Sequence, residues 1–236
     1  MRPLLLTLAL FVGTVTPTHA APPVVPIILV KGYGPHFAQL LRYQKFFAQD
    51  GIGHVYAVDY DHKASIPTIE RQLSASFASI LRRYPAGTQF DLITHSLGGF
   101  VGLYTAMRSP WAKQLRKYVS LAGMTRGQNS LPRICRWANC GWAVTTLTPF
   151  MNSFLRNFYS LHSTALEKID KCALYSYSDR IMSDPPESGV LPGSKAIEVS
   201  GAGHLDFIWR RDIYDIMRTA CYGAPYRGSS YRWTMR

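Results

Sequence analysis

The stretch "FDLITHSLGGFVGLYTAM", residues 90–107, decides the fold. Its opening "FDLIT" is a short run of strand formers, and "LGGFVGLYTAM" has the length and apolar content of a buried helix. Ser96 stands at the junction, where strand must turn sharply into helix. A serine on such a turn is held out as a nucleophile, and the usual motif is G-x-S-x-G. Here the first glycine is Thr94. A β-branched residue suits a strand end. Crowding by its extra atoms would cost about 1–3 kcal/mol in stability, but threonine takes no part in proton transfer.

Working outward, strand and helix signals alternate along the chain. Strands are expected at 26–30, 54–60, 90–94, 117–123, 172–178 and 195–201. Helices are expected at 37–49, across "SIPTIERQLSASFASILRRY", after Ser96, and from Asp206 to Cys221. In the second of these helices Ile69, Leu73, Phe77, Ile80 and Leu81 recur at helical spacing, and Pro67 suits a first turn. Alternation of this kind gives a mainly parallel sheet covered on both faces, a three-layer α/β sandwich of about six strands in one domain. The region 124–171 is an insertion between strands. Its Phe150, Phe154, Phe158 and Leu161 fall at helical spacing, which suits core packing or the wall of an acyl pocket.

In a parallel sheet, reactive groups gather on loops at the carboxyl ends of the strands. A serine hydroxyl needs an imidazole to take its proton, and the imidazole needs a carboxylate to fix its tautomer. Asp179 follows the strand at 172–178, and His204 follows the strand at 195–201 on the glycine-rich "GAGH" loop. Asp184 and Asp206 are further carboxylates nearby; Asp179 lies nearest a strand end. His95, next to Ser96, points away from it in such a turn and is not the base. Two amides must receive the oxyanion. Leu97 supplies one, and the turn "VKGYG" supplies the other through Tyr33, with Gly32 allowing close backbone approach. Asp59, Asp61 and His62 read as a capped turn rather than a metal site.

With "VKGYG", "THSLGG", "SLAG", "SFLRNF", "SYSD" and "GAGH" in this order, the chain resembles the α/β-hydrolase family, specifically its small secreted bacterial lipases and esterases. The resemblance spans roughly residues 25–210. It implies a minimal form of that fold, hydrolysis of carboxylic esters through an acyl-serine, and no cofactor. Ser96, Asp179 and His204 would be the triad, and Tyr33 and Leu97 the oxyanion donors. Relatives commonly carry histidine where this chain has Lys31, which would serve structure or meet an anionic substrate group. Acyl esters of apolar fatty acids or lipids are the expected substrates. A thioesterase, amidase, phospholipase or polyester hydrolase would use the same triad, and a catalytically silent fold would instead bind an acidic partner or surface.

Residues 1–20, "MRPLLLTLALFVGTVTPTHA", read as a secretion signal cleaved near Ala20, placing the protein outside the cell or in a periplasm. The four cysteines, Cys135, Cys140, Cys172 and Cys221, then suggest two disulfides. Three pairings are possible: Cys135 with Cys140 would staple a local loop, and Cys172 with Cys221 would tie the last helix to the body. A formal charge of +12, from 26 basic and 14 acidic residues, favours anionic surfaces. The basic residues are scattered and no nucleic-acid motif accompanies them, so specific nucleic-acid binding is not expected. A monomer is expected. The tail "YRGSSYRWTMR" reads as a disordered end or a segment adhering to surfaces.

Overall fold

The computed structural model describes residues 24–35, 37–129, 135, 140–182, 184–224 and 232–235. The expected signal segment lies outside the described residues. Among those described, no helix is long and apolar enough to cross a membrane.

Strands β1 (Ile27–Val30), β2 (Val55–Val58), β3 (Phe90–His95), β4 (Leu115–Leu121), β5 (Asp170–Tyr175), β6 (Lys195–Ser200) and β7 (Arg232–Met235) form one sheet in the order β2-β1-β3-β4-β5-β6-β7. The first six are mutually parallel, and β7 pairs antiparallel with β6. Part of the tail read as a disordered end is therefore an edge strand. β1 and β3 are buried at every position, as central strands covered on both faces must be, which is why they read as unbroken apolar runs.

One sheet face carries α1 (Phe37–Gln49), α7 (Asp206–Trp209) and α8 (Arg211–Tyr222); the other carries α2 (Ile66–Leu81), α3 (Gly98–Arg108) and α5 (Ser153–Glu167). Short helices α4 (Gly141–Thr146) and α6 (Pro185–Gly189) lie in the connections. α2 buries Ile66, Ile69, Leu73, Phe77, Ile80 and Leu81, the stripe its sequence predicts, with proline in its first turn. There the missing N–H costs nothing. On the opposite face Tyr214 of α8 meets Tyr43 and Phe47 of α1 edge-on, at 5.4 and 4.9 Å between ring centroids. Each fully buried side chain of this size contributes about 1.5–3 kcal/mol through removal from water.

Two expectations need correction. The helix expected from Asp206 to Cys221 is two helices, because Arg210 is extended (φ −95°, ψ 128°) and the chain turns there. That turn lets α7 lie against α1, where Trp209 receives the Arg42 guanidinium 4.6 Å above its ring. In the insertion, α5 buries Leu155, Phe158 and Leu166, whereas Leu161 is 71% exposed and Phe150 precedes the helix. Phe154 and Phe158 pack on Phe100 at 5.7 and 5.2 Å. Phe154 and Phe158 are core between α5 and α3, the first of the two readings their spacing offered, whereas Leu161 departs from it.

The sulfur pairs are Cys135–Cys140 and Cys172–Cys221. The second joins β5 to α8 across one face of the sheet.

Register levels one edge of the sheet. Val30, Thr94, Ser120, Ala173 and Ala196 are successive partners across β1, β3, β4, β5 and β6. The loops after these strands therefore emerge level with one another.

Candidate active site

Ser96 follows β3 and has φ +53°. For a residue with a Cβ this left-handed conformation costs about 1–3 kcal/mol and persists only where surrounding contacts enforce it. They do. The Ser96 N–H donates to the Leu121 carbonyl at 3.2 Å, and its own carbonyl accepts from Gly99 and Met124 at 2.9 and 2.8 Å. The start of α3 then presses onto the end of β1. A Cβ on Gly98 would lie 2.3 Å from the Lys31 carbonyl oxygen, so only glycine fits there.

Thr94, where the motif has glycine, is buried, with its hydroxyl 3.2 Å from the Val119 carbonyl. Its methyl would lie 3.1 Å from a Cβ added at Gly102. The crowding expected of threonine is thus relieved by a glycine one turn farther along α3.

His204 Nδ1 lies 2.7 Å from Asp179 Oδ2, and the Asp179 side chain is wholly buried. The other oxygen, Oδ1, accepts from the amides of Ile181 and Met182 at 2.8 and 3.1 Å. The carboxylate is thus anchored by backbone, with one oxygen left to receive Nδ1–H. A neutral imidazole holding its proton at Nδ1 is basic at Nε2. The rival carboxylates are engaged elsewhere. Asp184 precedes α6 and accepts from Asn129 Nδ2 at 2.8 Å; Asp206 accepts from the Gly203 amide at 2.8 Å. Of the three, Asp179 is the one joined to His204.

His95 does something the sequence did not signal. Its Nε2 lies 3.0 Å from the His204 carbonyl, with ring centroids 4.7 Å apart. A carbonyl only accepts, so His95 Nε2 carries a proton and tethers the His204 loop to β3. The pairing joins residues distant in sequence, so no local pattern announces it.

Gly32 brings the turn after β1 against the serine. A Cβ there would lie 2.6 Å from Ser96 Cβ and 2.9 Å from His95 Nδ1. Lys31 is buried and turns toward β2: Nζ lies 2.5 Å from Asp59 Oδ1, 3.4 Å from the Gly34 carbonyl and 5.4 Å from the Tyr60 ring centre. The Tyr60 hydroxyl donates to the Lys31 carbonyl at 3.1 Å. Lys31 is therefore committed to bracing the turn, not to a substrate anion. Asp61 caps its own loop by accepting from the Lys63 amide at 3.0 Å, and His62 meets the Tyr33 ring edge-on at 4.6 Å. Burial, with the Lys31 charge second, holds the His62 pKa below its usual value.

Gly32→Ala is expected to lower kcat about 10²-fold, since misplacing reacting groups by about 1 Å can cost that much. Steady-state kinetics alongside a melting curve check this; unchanged kcat in a folded variant would contradict the close approach.

Ser96, His204, Tyr33 and Leu97 border one cavity of about 220 Å³. Its remaining walls are mainly apolar, with Met124, Val144, Met182 and the Cys135–Cys140 bridge among them. The insertion contributes Met124, Gln128, Cys135, Cys140 and Val144 to this cavity, but none of the expected aromatic stripe.

No family model and no curated protein matches the sequence. Solved structures do. A Bacillus licheniformis lipase in its mature form is similar at TM-score 0.62 and 12% identity, over 85% of this chain and 93% of its own. An extracellular α/β-hydrolase from a Paenibacillus species is similar at TM-score 0.57 and 17% identity, over 84% of this chain and 99% of its own. A phospholipase from Legionella pneumophila is similar at TM-score 0.50 and 16% identity, over 64% of this chain; the chain spans only 39% of that protein's length. Likeness at such identities is likeness of fold, and the fold of this chain is that of the α/β-hydrolases.

Proposed function

We propose that the protein is a secreted serine hydrolase that cleaves carboxylic esters through an acyl-serine. The observation that carries this reading is the anchored Asp179–His204 pair, 2.7 Å apart, on the same cavity as the strained Ser96. Ser96 Oγ attacks the ester carbonyl carbon while His204 Nε2 takes the hydroxyl proton. Asp179 holds the imidazole in the required tautomer and faces the cation that forms. The amides of Tyr33 and Leu97 receive the negative oxygen. Collapse of the tetrahedral intermediate expels the alcohol, which takes the proton from His204. Water then attacks the acyl-serine with His204 again as base, releasing the acid and restoring Ser96. No step asks for a cofactor.

Two disulfides support an oxidising compartment, and with the segment 1–20 they favour export of a single catalytic domain beginning near residue 21. The basic surface would draw the enzyme toward anionic lipid or polymer substrates.

The test is turnover. Purified protein should hydrolyse p-nitrophenyl acetate and butanoate at rates far above buffer. Absence of turnover on esters and thioesters alike, in folded protein, would overturn the proposal.

A further inference from the structure

Gln128 borders the cavity that holds Ser96, and it is wholly buried. Among the described residues, neither Nε2 nor Oε1 has a hydrogen-bond partner. A side-chain amide carries two donors and an acceptor, and burying them unpaired is costly enough that native interiors almost always supply partners. Beside the cavity proposed to take substrate, a bound ligand can supply them.

The position is fixed rather than incidental. The Gln128 N–H donates to the Leu147 carbonyl at 3.1 Å, and the Arg126 N–H donates to the Ser188 carbonyl at 2.7 Å. Between them Gly127 has φ +79°, and a Cβ there would lie 2.4 Å from the Leu147 oxygen. The turn therefore presents Gln128 from a backbone held on both sides. Met124, Val144 and Met182, which line the same cavity, have side chains without a strong hydrogen-bonding group. A plain hydrocarbon chain lodged here would leave both amide atoms unsatisfied.

We infer that Gln128 is a specificity residue that reads a hydroxyl group on the substrate, so that the preferred esters carry a hydroxyl on the part lodged in the cavity. A hydroxyl oxygen accepts from Nε2, and its proton can be given to Oε1. A keto oxygen can only accept and satisfies half of the amide. This inference rests on the hydrolase reading above and narrows its substrate class away from unsubstituted fatty acyl chains.

Two matched pairs separate the sources of the hydroxyl. p-Nitrophenyl 3-hydroxybutanoate against p-nitrophenyl butanoate tests the acyl side; glycerol monobutanoate against propyl butanoate tests the alcohol side. In the native enzyme one pair should show a preference in kcat/KM of about ten- to a hundredfold for the hydroxylated ester. p-Nitrophenyl 3-oxobutanoate should fall between its partners if the acyl side is read. Gln128→Leu and the less disruptive Gln128→Met should bring that ratio to about one or invert it, each protein serving as its own control. A native enzyme with no preference in either pair overturns the inference whether or not the variants fold. So does a preference that survives both substitutions, since Gln128 then serves structure alone. If no ester is turned over and Ser96 does not label with a fluorophosphonate, the hydrolase reading itself has failed. Labelling without hydroxyl preference sinks only the role of Gln128.

Discussion

Ser96→Ala and Asp179→Asn are each expected to lower kcat about 10⁴-fold or more, with KM little changed and the melting temperature within a few degrees of native. Loss of Ser96 removes the attacking atom. Asparagine at 179 keeps the shape of the carboxylate, but its amide presents a donor where His204 Nδ1 needs an acceptor, so the imidazole is held in the wrong tautomer. The geometry makes this asymmetric. Asp179 touches His204 at 2.7 Å, whereas Asp184 is bonded to Asn129 at the start of α6. Asp184→Asn should therefore leave kcat within about threefold, because surface substitutions away from the reacting groups change little. Equal losses in the two variants would show that the acid was assigned to the wrong residue.

Replacing both Cys172 and Cys221 with alanine should cost about 4 kcal/mol, the loop-closure entropy of a bridge joining residues 49 apart in sequence. For a chain of this size that lowers the melting temperature by about 10 °C. The bridge ties β5 to α8 and does not line the cavity that holds Ser96, so kcat measured well below the melting point should be nearly native. The Cys135–Cys140 bridge behaves in the opposite way. Its short loop is worth about 2 kcal/mol by the same estimate, yet it forms part of the cavity wall, and its removal should show in KM. A melting temperature unmoved by the first double variant would mean that α8 is held by packing alone.

Most of the candidate site was legible in the sequence because each signal was local. β-Branched runs, helical spacing and glycine turns placed the strands within a few residues. Ser96, Asp179 and His204 each stood one loop beyond a strand, and the parallel register brought those loops level. What escaped was non-local. Lys31 looked available to a substrate because its partner, Asp59, lies beyond a different strand. The tether from His95 to the His204 carbonyl joins residues that no periodicity connects. The edge strand β7 depends on finding β6, and a short basic and aromatic tail carries little of its own strand signal. In α5 the spacing placed Phe154 and Phe158 on the core face correctly but carried the stripe too far at its ends. Phe158 is buried, but the helix continues its buried face to Leu166 and leaves Leu161 in solvent. Thr94 shows the reverse lesson: a departure from the motif in text is accommodated by Gly102 in space.

The most direct measurement is the mass of the purified protein after reaction with a fluorophosphonate, followed by peptide mapping. One adduct per chain, located on Ser96 and absent from Ser96→Ala, is the predicted result. Folded protein that takes up no label, or carries it on another residue, would contradict the assignment of Ser96 as the nucleophile.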